Sequence, residues 1–276
     1  MDCQTCGSTR NEKYCPACGE KTFEPHQLSL KEFVEELFEG FSHFDTKFIR
    51  TIKTLIFKPG QLSLEFCAGK RVNHMKPIQL FLVVNLIFFI AALHNLYSLE
   101  LYNYINFKPF ITFNTKQIIN DVLAKEHTTL AEYTAVFNEK MKSSSKAFIF
   151  AFIPVYGVFF ALFFFWKKKY FVEHLVFATH FMSFVLVMLF LGGYLIMLPY
   201  FMIVGKESAD FDFFYSWAVR ILIGVYAGFA IHRFYRTPIF YTLIIALVVG
   251  YFFFAPIQYY RMGLFYKITH FNPWGH

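Results

Sequence analysis

Read from residue 23 onward, the chain alternates short amphipathic stretches with long apolar ones. Leu30, Phe33, Val34, Leu37, Phe38 and Phe41 recur at helical spacing, one apolar stripe on a helix. Ser29 with Glu32 reads as its capping box and Gly40 lies near its stop. Asp45 is the N-cap expected for a second helix, with Phe48, Ile49, Ile52, Leu55 and Ile56 on one face until Pro59-Gly60 breaks it. A third short helix is expected from about 61 to 68. Lys47, Arg50 and Lys53 stand opposite the apolar face. That arrangement suits a helix lying on anionic lipid, and equally one packed on its neighbours.

Five further stretches reach the roughly 20 residues that a helix needs to cross a bilayer. They are 77–96, 147–166, 175–204, 213–231 and 238–257. The third is long enough to tilt or to break near Gly192-Gly193, and Pro154 and Gly157 are candidate kinks in the second. Between the first two lies a mixed insertion, 97–146. It predicts helices over 115–125 and 129–141, the latter opened by a Thr129–Glu132 capping box. The expected fold class is therefore an all-α membrane protein: a five-helix transmembrane bundle with amphipathic helices before it. Three segments follow, 1–22, 23–76 and 77–276.

Composition supports the bilayer. Of 276 residues, 56 % are hydrophobic, 16 % are charged and 40 are Phe, against about 45–50 % apolar and about 25 % charged in soluble domains. This excludes a simple globular enzyme, a disordered chain and a secreted disulfide scaffold. The net charge of +7 is spread in short runs beside the apolar stretches, the pattern of an orientation signal and not of a nucleic-acid surface. Lys58, Lys70, Arg71 and Lys76 precede the first stretch, Lys167–Lys169 follow the second, and Arg233 and Arg236 follow the fourth. These predict an integral protein of the inner (cytoplasmic) membrane with the N-terminus cytoplasmic. The insertion and the C-terminus are then external, with Arg261 and Lys267 a weak dissent. No secretory signal peptide opens the sequence.

The strongest chemical signal is at the N-terminus. Cys3-x-x-Cys6-Gly7 and Cys15-x-x-Cys18-Gly19 are paired knuckles with eight residues between them. Four thiolates complete the tetrahedral shell of Zn and leave no open position, so Cys3, Cys6, Cys15 and Cys18 predict one structural zinc ion. A segment this small folds only with its metal. With only Arg10, Lys13 and Lys21 as cations, the ribbon reads as a protein-docking module. The fifth cysteine, Cys67, reads as a small buried residue.

Ionisable groups inside a membrane are functional candidates by default. Arg220 lies near the middle of the fourth stretch and shares a face with Ser216, Gly224 and Gly228. It reads either as an anion or lipid-phosphate contact or as a hydrogen-bonded strut. Glu173 and His180, seven apart, share a face of one helix about 10.5 Å apart along its axis, too far to hold one metal unaided. His174 points elsewhere. Glu173, His174, His180 and Arg220 are the catalytic candidates; the alternative is that the first three are interfacial or core side chains. His74, His174, His180 and His232 could form a cluster, and Asn85 and His94 are weaker candidates.

The sequence resembles an uncharacterised bacterial membrane family, a domain of unknown function with an N-terminal CxxCG…CxxCG ribbon. The likeness rests on the ribbon, on Lys58-Pro59-Gly60, Gly69-Lys70-Arg71 and Lys76-Pro77, and on Glu173-His174-Leu175-Val176-Phe177-Ala178. The resemblance implies an inner-membrane protein and no particular activity. Met182 and Ser183 stand where that pattern often has a further His. Three functions remain open: a membrane-anchored scaffold or regulator whose ribbon docks a protein partner; an enzyme acting on a lipid or isoprenoid through Glu173, His180 and Arg220; and a transporter subunit. Convergence of those three residues in one pocket would favour the enzyme, and their dispersal the scaffold.

Overall fold

The computed structural model describes residues 2–3, 5–9, 15–18, 47–91, 98–106, 110–145, 149–205 and 209–271. The expected helix over 30–41 with its Ser29 cap, the Asp45 cap, Arg10, Lys13, Gly19, Lys21 and His94 lie outside the described residues. The described chain is mostly helical, with no strand beyond an isolated bridge between Asp2 and Thr9. It divides into two units: 1–93 with 153–251, and 94–152 with 252–276.

In chain order the helices are α1 (Lys47–Phe57), α2 (Gln61–Cys67), α3 (Pro77–Ala91), α4 (Leu101–Asn106), α5 (Thr115–Glu126) and α6 (Leu130–Ser144). Then follow α7 (Phe152–Phe163), α8 (Phe171–Gly192), α9 (Leu198–Val204), α10 (Ala209–Tyr235), α11 (Ile239–Phe252) and α12 (Phe254–Ile268). Among the described residues, three helical runs are long and apolar enough to cross a membrane: Phe171–Val204, Phe213–Tyr235 and Ile239–Ile268. In the other two expected stretches the described helices are shorter than a span. α3 is apolar but 15 residues long. α7 has 12 residues between two 3₁₀ turns, Ile149–Ala151 and Phe165–Lys167; Pro154 sits in its first turn, where a missing N–H costs nothing.

The first long run is 34 residues, about 50 Å of helix against a hydrocarbon core of about 30 Å. Gly192-Gly193 does not break it. A π-helical turn, Gly193–Met197, begins there. Pro199 follows at the start of α9; its ring and missing N–H forbid the regular ladder one turn back, and the wider turn absorbs the mismatch.

α8 is the axis of the first unit. α3 runs along it, and α1 and α2 lie across it, with α2 also reaching α10. Aromatic pairs close the rest: Phe160 meets Phe177 edge-on at 4.8 Å, and Phe164 stacks on Tyr235 at 4.0 Å. Such pairs add about 0.5–1.5 kcal/mol beyond their burial. Between α1 and α2, Gly60 has φ +76, and a Cβ there would lie 2.5 Å from the Ala230 carbonyl oxygen. Only glycine meets both demands.

The second unit has its own core, with Tyr104, Phe110, Phe137 and Phe265 at its centre. Tyr104 stacks on Phe265 at 4.9 Å and donates to the Arg261 carbonyl at 2.9 Å. The Thr129–Glu132 box is formed at the head of α6: Thr129 N–H donates to Glu132 Oε2 at 3.0 Å, and Thr129 Oγ1 accepts from the Glu132 N–H at 3.3 Å. The fifth stretch runs on well beyond 257, because Met262, Leu264, Phe265 and Ile268 are buried in this core.

Candidate functional site

The four N-terminal cysteines come together. One ligand atom from each of Cys3, Cys6, Cys15 and Cys18 lies within 4.8 Å of the others. Cys3 and Cys18 sulfurs are 3.5 Å apart, and those of Cys6 and Cys15 are 3.6 Å apart. A tetrahedral shell with metal–sulfur bonds of about 2.3 Å has edges of about 3.8 Å, so the donor set fits one ion at its centre. The local fold explains the approach. Gly7 N–H donates to the Cys3 carbonyl and Cys3 N–H to the Ser8 carbonyl, both at 2.9 Å. Gly7 turns the knuckle with φ +75, a conformation that favours glycine.

The Ser8 hydroxyl lies 2.9 Å from Cys6 Sγ and 3.1 Å from Cys15 Sγ. It lowers both thiol pKa values, that of Cys15 to about 6, where backbone N–H groups of Cys18 and Ala17 assist. Thiolates are the ligating form. Cys3 and Cys15 are buried, and buried charge needs a counter-charge, which an ion would supply. Among the described residues this is the one group of three or more His, Cys, Asp or Glu that could hold a metal.

The membrane-face candidates do not converge. Glu173 accepts from the Tyr170 N–H at 2.9 Å, closing the first turn of α8, and from Lys169 at 2.6 Å. His174 Nδ1 is 2.8 Å from the Tyr235 hydroxyl, their rings stacked at 5.5 Å. His180 Nδ1 is 2.9 Å from Ser63 Oγ, both side chains buried. Each group is thus engaged by a structural partner. Arg220 bonds Ser216 one turn back and lies over Trp217 at 5.4 Å. It stands fifteen residues before Tyr235 on continuous α10, about 22 Å along the axis, and so far from Glu173 and His174.

The histidine cluster is partial. His74 is near enough to His180 for their charges to interact. Its ring is held between Glu65 at 3.1 Å and Thr54 at 3.2 Å. Burial lowers its pKa, and the Glu65 carboxylate opposes that shift. His232 bonds the Thr237 carbonyl at 2.9 Å instead. Burial first, then Glu173, raises the Cys67 thiol to about 12. Asn85 is buried on α3.

Sequence reasoning missed the partners. They are Tyr235, which meets His174, and Ser63, Gly60 and Tyr226, which hold α1 and α2 as a strap against α8 and α10. Tyr226 donates to the Leu55 carbonyl at 2.9 Å and Arg233 to the Pro59 carbonyl at 2.8 Å. With Ser63 on His180, these bonds pin α1, α2 and the turn between them to α8 and α10. The signal available was Pro59-Gly60, which marks a turn but not what it touches.

A family model matches residues 45–89, and its description is a protein of unknown function, DUF3667. No curated protein matches, and no solved structure does. The matched segment takes in the strap, α1 and α2, and nearly all of α3. It includes the Lys58-Pro59-Gly60, Gly69-Lys70-Arg71 and Lys76-Pro77 motifs. The cysteine ribbon and the 173–178 motif lie outside it.

Proposed function

We propose that the protein is a membrane-anchored scaffold or regulator of the inner membrane, whose N-terminal module holds one structural zinc ion and docks a cytoplasmic protein partner. The observation that carries this reading is the contrast between the two sites. The cysteine shell fits a complete tetrahedral set, which leaves no position for substrate. The acid, base and cation candidates of the helical body are separately engaged, and Arg220 stands apart from the rest. A cytoplasmic N-terminus draws support from the charges. Arg233 bonds the turn after α1, and Lys167 donates to the Arg236 carbonyl at 3.0 Å. Basic side chains therefore gather at the end of the spans where the strap lies, as cytoplasmic flanks do.

The test is a metal count on detergent-purified full-length protein and on a Cys3→Ser/Cys15→Ser variant, with a photo-crosslinker placed at Thr9 in cells. The reading expects one zinc per chain, lost in the variant, and a discrete crosslinked protein that requires the metal. Metal retained by the variant would put a second site in the body and make the enzyme reading lead. Absence of any crosslinked protein would overturn the docking role.

A further inference from the structure

α10 and α11 form a hairpin through the turn 236–238. They touch along small residues. A Cβ on Gly250 would lie 2.8 Å from the Arg220 carbonyl, and one on Gly224 would lie 3.1 Å from the Ala246 carbonyl. This contact lets the backbones approach closely and leaves a groove of about 780 Å³ along the seam. Gly224 and Gly228 line it, with exposed Phe229, Leu243 and Leu247 beside them. It runs from Trp217 to His232, about 22 Å of helix.

One end differs from the rest. His232 and Thr242 line the groove there, next to the hairpin turn. His232 spends Nδ1 on the Thr237 carbonyl, and Thr237 and Thr242 hydroxyls bond each other at 2.7 Å. Arg236, in the hairpin turn four residues after His232, is exposed, as is Lys168. The bond from Lys167 to the Arg236 carbonyl brings the lysine run to the same turn. A long apolar slot thus ends beside a turn that carries basic residues.

A ligand fitting both parts has an apolar tail and an anionic head. One leaflet of the hydrocarbon core is about 15 Å deep, ten residues of helix. A chain entering at His232 therefore ends near Leu222, short of Arg220. We propose that this groove is a binding site for one anionic phospholipid, its phosphate at the Lys168–His232–Arg236 mouth and an acyl chain along Gly224 and Gly228. The charge at the mouth separates this site from the generic lipid-facing surface, where shape alone would act.

Native mass spectrometry of the detergent-purified full-length chain tests it, titrating phosphatidylglycerol and phosphatidylcholine with identical acyl chains. Lys168 and Arg236 both have left-handed φ, 51° and 49°, which asparagine tolerates. Lys168→Asn/Arg236→Asn is expected to lose about thirty-fold in phosphatidylglycerol preference, the factor two basic groups carry beside a lipid head. Leu243→Trp fills the groove from an exposed position and is expected to lose the bound lipid outright. Lys116→Gln/Lys140→Gln, in the other unit, is expected to behave as wild type. Equal binding of the two lipids by wild type, or unchanged phosphatidylglycerol binding in both groove variants, would overturn the proposal. So would a dimer that Leu243→Trp abolishes while lipid binding persists, which would give the groove to a second copy.

Discussion

Gly60→Ala is the sharpest test of the strap. Two costs fall on one methyl group. Gly60 has φ +76, and a side chain in the left-handed region costs about 1–2 kcal/mol. The new Cβ would also lie 2.5 Å from the Ala230 carbonyl oxygen and 3.0 Å from its Cα. Those are backbone atoms of a continuous helix, so no side-chain rotation relieves the contact. The turn cannot drift away cheaply either, because Arg233 holds Pro59 and Tyr226 holds Leu55. Overpacking of this kind costs about 1–3 kcal/mol, which gives a loss of about 2–5 kcal/mol for the substitution.

Two other glycines separate the terms. Gly205 also has positive φ, 71°, but nothing lies within 4 Å of its Cβ position, so Gly205→Ala carries only the backbone cost of about 1–2 kcal/mol. Gly263 is helical and its Cβ position is open, so Gly263→Ala is expected to gain up to about 1 kcal/mol. Dodecyl-sulfate titration of protein in mixed micelles, followed by tryptophan fluorescence, gives the three unfolding energies. A Gly60→Ala loss no larger than that of Gly205→Ala would refute the close packing of turn against α10.

Ser63→Ala leaves buried His180 without its hydroxyl partner and is expected to cost about 1–3 kcal/mol in the same titration; Glu173→Gln, which keeps an acceptor for the Tyr170 N–H, is expected to cost under about 1 kcal/mol. The fold holds the His74 pKa below the usual histidine value, so the unfolded chain binds a proton that the folded chain does not. That contribution is present above about pH 6.5 and is lost as pH falls below it; His74→Gln is expected to flatten the dependence of stability on pH in that window. On the proposed reading, in which the cysteine shell holds an ion, chelation is expected to speed hydrogen exchange at the Cys3 and Gly7 amides while the spans stay protected, because so small a module folds around its metal.

Local chemistry was legible in the sequence, and pairing across the chain was not. Cysteine spacing announced the N-terminal cluster because a C-x-x-C turn delivers two ligands through short-range geometry. The Thr129–Glu132 box was legible for the same reason. Apolar runs located helices but misjudged their ends. The run at 238–257 continues as helix to Ile268, since Arg261 and Lys267 read as a tail while Phe265 and Met262 beside them are core. In the run at 147–166 the described residues form α7 between two 3₁₀ turns, because composition records apolar surroundings and not helix regularity. Ser63 meets His180 across 117 positions. No periodicity encodes that contact, so the histidine was visible and its partner was not.

The strap also bears on whether α1 and α2 act as a moving lid over the bundle. Opening would break three polar links: Tyr226 to Leu55, Arg233 to Pro59, and Ser63 to His180. At about 1 kcal/mol net each, they hold it by about 3 kcal/mol. Leu62 and Phe66 are buried on α2, and their exposure adds about 1.5–3 kcal/mol apiece. The sum is at least about 6 kcal/mol, which leaves an open population of about one in ten thousand or less. A lid that admits substrate needs a far larger open fraction, so the segment serves as a fixed clasp. Amides of α2 are then expected to exchange only with global unfolding of the bundle. Rapid exchange there, with α8 still protected, would return the segment to the class of lids and with it the enzyme reading.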